Sequence, residues 1–196
     1  MTRRLTQRGK DRRSQLMDYA ARQFAANGYH PTSVAEIVEG LGVGKGVFYW
    51  YFSSKEELFL EILRDAQLGM RRTQDGAIGE ETDPVRRIEL GIRASLHWLA
   101  ANRHLLALFQ FAATEDRFSP ELRRGGDVAL ADVLRHVKEG IVAGRIRDSD
   151  PEVMAQAIVG VTNTLARRFL FGRGESADSV ADAAISFCLE GLLPRT

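Results

Sequence analysis

The stretch from Glu39 to Leu58, EGLGVGKGVFYWYFSSKEEL, places glycine at every second position from Gly40 to Gly46, with Lys45 among them. Those residue types could cradle a phosphate. A phosphate loop of the Walker kind needs G-x-x-x-x-G-K followed by Ser or Thr, after a strand. Gly44-Lys45 supplies the last glycine and the lysine, but Glu39 stands where the first glycine belongs and Gly46 where the hydroxyl belongs. A dinucleotide fingerprint G-x-G-x-x-G fails as well. From Gly40 its last glycine falls on Lys45, and from Gly42 it falls on Val47. Other site chemistries have no better support. His30, His97, His104 and His136 form no HxxxH or HExxH pair, Cys188 is the single cysteine, and no G-x-S-x-G is present. These patterns predict no metal, no cofactor and no catalytic residue, so the expectation is a protein that is not an enzyme.

The same stretch reads well as two short helices joined by a glycine turn. Ser33-Val34-Ala35-Glu36 fits a capping box, with Ser33 or Thr32 as the N-cap, so a helix precedes the glycines. It ends near Gly40 to Gly42, where glycine can take the left-handed conformation of a tight turn. A second short helix follows over about Lys45 to Phe52. A helix pair of this kind can place its second member in the major groove of DNA. Gly46 would allow close approach of that helix, and Lys45 lies at the same end, where helix N–H groups favour anions. The aromatics divide by face. Phe48 and Phe52, four apart, should pack inward on Ile37, Leu41 and the first helix. Val47, Trp50 and Tyr51 fall toward the other side, with Tyr49 between. Tyrosine hydroxyls suit phosphates, and a valine can touch a thymine methyl.

The elements around this pair all read as helix. Leu16, Tyr19, Ala20 and Phe24 recur at helical spacing in a first helix from Arg12 to Ala26. After Ser53-Ser54 a longer helix should run from Lys55 to about Thr73. Gln74 to Pro84, QDGAIGEETDP, has the composition of a linker. Beyond it come amphipathic helices over about Val85 to Ala101, Arg103 to Thr114, Pro120 to Ala143, Asp150 to Gly172 and Ser176 to Gly191. The predicted fold is all-α, with a basic three-helix head over residues 1–55 and a larger helical body over 56–196. Charge follows the same division. The head holds nine Lys or Arg against four acids, net +5, and the rest holds 18 against 22, net −4. A basic head on an acidic body suggests a polyanion partner. The charged N-terminus has no apolar core, and no apolar run approaches a membrane span, so the chain is expected in the cytoplasm without membrane contact.

The set GVGKGVFYWYFSSKEEL, the preceding FAANGY and PTSVAEIV, and their spacing resemble the helix-turn-helix signature of the TetR family of bacterial transcriptional repressors. The resemblance covers about Arg12 to Phe59. It implies that Thr32 and Ser33 contact phosphate, that Lys45, Gly46, Val47, Tyr49, Trp50 and Tyr51 form the DNA face, and that Lys55 binds phosphate. Arg3, Arg4, Arg8, Lys10, Arg12 and Arg13 would form an N-terminal arm adding nonspecific contacts. The family usually has Ser or Thr where Gly44 stands and often Thr where Val47 stands, so the operator sequence does not carry over.

The resemblance further implies a homodimer through the last two helices, about 150–172 and 176–191, on a near-palindromic site in double-stranded DNA. It implies a small-molecule effector in the body, with Trp98, Leu105, Phe109, Phe111, Phe118, Met154 and Asn163 as candidate lining and His97, His104 and Arg167 as candidate polar contacts. The sparse charge of the apolar stripes favours a largely apolar effector. The fourth helix would link head to body. The competing expectation is a helical adaptor that binds only protein and uses the basic head as a docking patch.

Overall fold

The computed structural model describes residues 6–192. Among them the regular structure is helical, with no strand: α1 (Gln7–Asn27), α2 (Val34–Gly40), α3 (Lys45–Tyr51), α4 (Lys55–Ile78), α5 (Pro84–Ala101), α6 (His104–Thr114), α7 (Ser119–Val142), α8 (Pro151–Leu165), a π-helical continuation over Ala166–Phe171, and α9 (Ala177–Leu192). The fold is all-α, as expected. Two compact units are present, Met1–Ala66 with His104–Arg123, and Gln67–Arg103 with Arg124–Thr196. The boundary between these two units lies within α4, and the first unit also takes α6 and the start of α7.

In the first unit α1 starts earlier than Arg12, because the Thr6 side chain accepts a hydrogen bond from Gly9 N and caps it. Arg8, Lys10, Arg12 and Arg13 thus lie on a helix and not in an arm; Arg3 and Arg4 fall outside the described residues. Leu16, Ala20 and Phe24 of α1 are buried, as are Ile37, Phe48, Phe59 and Leu63 from the next three helices and Phe52, which caps the end of α3. α6 packs on α1 and buries Leu105, Leu108 and Ala112.

In the second unit α5 lies against α9, and α9 against α8. Val85, Ile88, Ile92 and Leu96, at helical spacing, meet Met154, Ile158, Leu170, Val180, Ala181 and Ala184 in one core. Asp83 and Asp150 cap α5 and α8, each followed by proline in the first turn. One expectation fails here. Residues 74–78 are helix, not linker, since Gln74 Nε2 donates to Ser95 Oγ at 2.7 Å and Ile78 lies 3.9 Å from where a Cβ on Gly91 would be. Those contacts within the unit outweigh the low helix propensity of Gly76. The helix from Asp150 widens into a π-helix at Ala166, where Arg103 Nη2 donates to the Leu170 carbonyl at 2.9 Å.

Candidate nucleic-acid interface

Local chemistry accounts for the shape of α2 and α3. Ser33 Oγ accepts from Glu36 N at 3.2 Å, and the Glu36 carboxylate accepts from Ser33 N at 2.6 Å, completing the capping box. Those bonds hold the Glu36 carboxyl below its ordinary value. At the other end Gly42 has φ +63, Gly42 N donates to Glu39 O and Val43 N to Val38 O, both at 2.9 Å. That pair of bonds is a Schellman ending, and it needs a left-handed residue at Gly42. The neighbouring glycines serve differently. A Cβ on Gly40 would lie 1.8 Å from the Tyr19 hydroxyl, so glycine there lets α1 cross α2. Gly44 and Gly46 have nothing within 4 Å of a Cβ position. The start of α3 is bare, and Gly44 gives it no side-chain cap.

α3 is sharply two-faced. Phe48 and Phe52 are 0% and 1% exposed, while Tyr49 and Trp50 are 57% and 50% exposed. Lys45 and Gly46 are exposed, and Val47 and Tyr51 are half-buried. The result is a rigid anchor under a surface of lysine, open backbone and two large aromatics, which can hydrogen-bond and pack against a nucleic acid.

Two residues expected at phosphate are engaged within the fold. Thr32 is buried, and its hydroxyl donates to the Gly28 carbonyl at 2.8 Å. Lys55 Nζ donates to the carbonyls of Tyr29 at 2.8 Å, His30 at 3.3 Å and Thr32 at 2.9 Å, and lies 4.4 Å from the Tyr29 ring centroid. Burial, then Arg117, lowers the Lys55 pKa. A phosphate contact by either side chain requires these bonds to break. In the structure both brace the loop that leads into α2. Ser33 remains exposed.

Residues 16–62 match the family model of bacterial regulatory proteins of the tetR family, a span that contains the whole α2–turn–α3 unit. Over these residues the chain is similar to the TetR family. Relatives extend over nearly its full length. It is 26% identical over 197 residues to the uncharacterised HTH-type transcriptional regulator YdgC of Bacillus subtilis, covering 96% of each chain. It is 26% identical over 162 residues to the fatty acid metabolism regulator protein of Bacillus subtilis, with 81% of this chain and 77% of that one covered. It is 25% identical over 193 residues to the transcriptional repressor KstR2 of Mycobacterium tuberculosis, with 92% of each covered. The solved structure of the ketosteroid transcriptional regulator KstR2 matches with TM-score 0.73 at 23% identity over 98% of both chains. The matched region is a helix-turn-helix DNA-binding region, and these relatives are transcriptional regulators.

The candidate effector residues divide between the two units. Leu105, Phe109, Phe111 and Phe118 belong to the first and Trp98, Met154 and Asn163 to the second. Phe118 is fully buried. It and Phe111 have ring centroids 5.2 Å from Tyr29, Phe111 in a stacked arrangement. Met154 is in the second unit's core, Trp98 is half-buried and Asn163 exposed. His97 Nε2 pairs with Asp178 Oδ1 at 2.9 Å. His104 is half-buried, and burial, then Arg22, holds its pKa below the ordinary value. Arg167 is exposed. No group of three or more His, Cys, Asp or Glu among the described residues is placed to hold a metal ion. No helix among them is long and apolar enough to cross a membrane.

Three supporting residues carry no signal in the sequence. Tyr19 fills the space left by Gly40. Tyr29 sits among Phe24, Phe59, Phe111 and Phe118. Arg117 lies 5.6 Å from the Tyr29 centroid and, with Lys55, flanks that ring. Only the juxtaposition of Gly40 with a helical Tyr could have hinted at the first. The others depend on α6 and α7, far along the chain.

Proposed function

We propose that the chain is a ligand-responsive repressor that binds a near-palindromic operator as a homodimer and releases it when a small, largely apolar effector binds. The observation that carries the DNA-binding part is the division of α3, with Tyr49 and Trp50 outward over fully buried Phe48 and Phe52. On this reading Lys45, Gly46, Val47, Tyr49, Trp50, Tyr51 and Ser33 meet the operator, with Thr32 and Lys55 at its phosphate edge or bracing it. Residues 1–55 form the DNA-binding head and 56–196 the effector and dimer body.

Exposed Val153 on α8 and Phe187 on α9, at 64% and 67%, support the homodimer. A lone recognition helix reads few base pairs, and pairs of them explain palindromic sites. The apolar effector is supported by the names of the relatives, a fatty acid metabolism regulator and a ketosteroid regulator. Effector release is a two-state process, in which the effector binds the DNA-incompetent form better and lowers operator affinity by that difference.

The test is fluorescence anisotropy against tiled duplexes from the DNA flanking its gene. One tile bound far more tightly than the rest is the expected result. That tile then serves as bait in a release screen of fatty acyl and steroid compounds. Uniformly weak binding that vanishes with salt would remove the sequence-specific reading.

A further inference from the structure

The side chains that usually read base edges by hydrogen bonds are Arg and Lys at guanine, Asn and Gln at adenine, Asp and Glu at cytosine, and Ser and Thr at either. α3 has the sequence KGVFYWY, so of that whole set it carries Lys45 alone. The polar groups on either side of it are engaged within the fold. Ser53 Oγ donates to Glu57 Oε2 at 2.5 Å, and Ser54 Oγ accepts from Glu57 N at 3.0 Å. On α2 the Glu36 carboxylate accepts from Ser33 N.

What α3 turns outward is mostly carbon. At about 100° per residue, Gly46 and Trp50 fall nearly opposite the buried pair Phe48 and Phe52. Val47 lies on one flank and Tyr49 on the other. Glycine is a poor helix residue, and neither a positive φ nor a neighbour within 4 Å of its Cβ position requires it at Gly46. Its bare backbone lets α3 approach a surface closely, and that approach brings the half-exposed indole of Trp50, one turn on, and the flanking Val47 into contact. Their contact surface is carbon except for one indole N–H, which only donates. The apolar group that a base pair presents in the major groove is the C5-methyl of thymine.

We infer that this chain recognises its operator chiefly through thymine C5-methyl groups, packed against Val47 and Trp50 where Gly46 lets α3 come close. Its ligand is therefore a duplex whose half-sites carry thymine beneath that part of the helix. Lys45 and the Tyr49 hydroxyl lie toward one edge and contribute polar contacts there. The inference rests on the DNA-binding reading and names what that site reads. Uracil keeps every hydrogen-bonding group of thymine and lacks only the methyl, so it isolates the contact. Burying one such methyl is worth about fourfold in affinity.

Anisotropy titrations test it, using the most tightly bound tile made once with thymine and once with uracil throughout both strands. The uracil duplex should bind about tenfold or more weakly, since each half-site loses at least one buried methyl. Val47→Ala and Trp50→Ala should each weaken binding to the thymine duplex and narrow the gap between the two duplexes, with circular dichroism to confirm the fold. Equal wild-type affinity for both duplexes would overturn the inference while sequence-specific binding stands. The readout would then lie in hydrogen bonds or in the minor groove, where thymine and uracil look alike. A uracil penalty that stays the same size in both variants would also overturn it, because the methyls would then act through duplex shape. Uniformly weak binding to every tile would instead defeat the operator reading itself, and this inference with it.

Discussion

Adjacent residues of α3 have opposite duties, and single substitutions should separate them. Phe48 is fully buried between the helices of the first unit, with its ring 5.7 Å from that of Phe52. Phe48→Ala removes an aromatic core side chain and should cost about 3–5 kcal/mol of stability, read by urea denaturation. Tyr49 is its neighbour in sequence and more than half exposed. Tyr49→Ala should leave the denaturation midpoint nearly unchanged and lower operator affinity, read by anisotropy on the bound tile. If Tyr49→Ala binds as wild type does, that residue leaves the interface. If Phe48→Ala alters only DNA binding, the faces have been assigned the wrong way round. The inward and outward aromatics were legible in the sequence, because a 3.6-residue period fixes which residues share a side. The engagement of Thr32 and Lys55 was not. Both depend on where the carbonyls from Gly28 to Thr32 point, and no periodicity encodes that.

At the scale of elements, the α2–turn–α3 unit was readable because its determinants are local. Ser33 with Glu36 starts α2, Gly42 ends it, and each acts within a few residues of itself. The same locality makes the turn testable. Gly42 has φ +63 with empty space around it, so Gly42→Ala meets no steric neighbour and should cost about 1–2 kcal/mol for the left-handed backbone alone. Gly40→Ala tests a different cause. Its φ is ordinary, but its Cβ would fall on the Tyr19 hydroxyl, so the loss should be partly recovered in the Gly40→Ala/Tyr19→Phe double variant. Recovery of Gly42→Ala by Tyr19→Phe would contradict this division. Non-local determinants were the illegible ones. Gly76 and Gly79 gave 74–84 the look of a linker, yet α4 continues to Ile78 because Gln74 and Ile78 have partners on α5. α6 read as a helix of the body, yet it packs on α1, where Phe111 stacks on Tyr29. The π-helical turn at 166–171 left no mark in the hydrophobic period, since the adjustment of one residue becomes apparent only in the hydrogen bonds.

For the whole molecule, the charge division and the proposed dimer bear on the same quantity, the affinity for a two-part site. The first 55 residues carry net +5 and the remainder net −4, so each head attracts DNA while the bodies repel it. A single head should therefore bind weakly and with strong salt dependence. Linking two heads through their bodies turns the second contact into an intramolecular one, and its effective concentration multiplies the affinity by about 10²–10⁴. Two independent lesions should abolish that gain. One is in the DNA, a duplex with one half-site scrambled. The other is in the protein, Phe187→Glu, which places a charge at an apolar position 67% exposed on α9. Each alone should reduce operator affinity toward that of a single head, and together they should do little more, because both remove the same linkage. Titrating wild type and variant against intact and scrambled duplexes completes the cycle. Losses that simply add would mean that the exposed face of α9 supports DNA binding by some route other than holding two heads together.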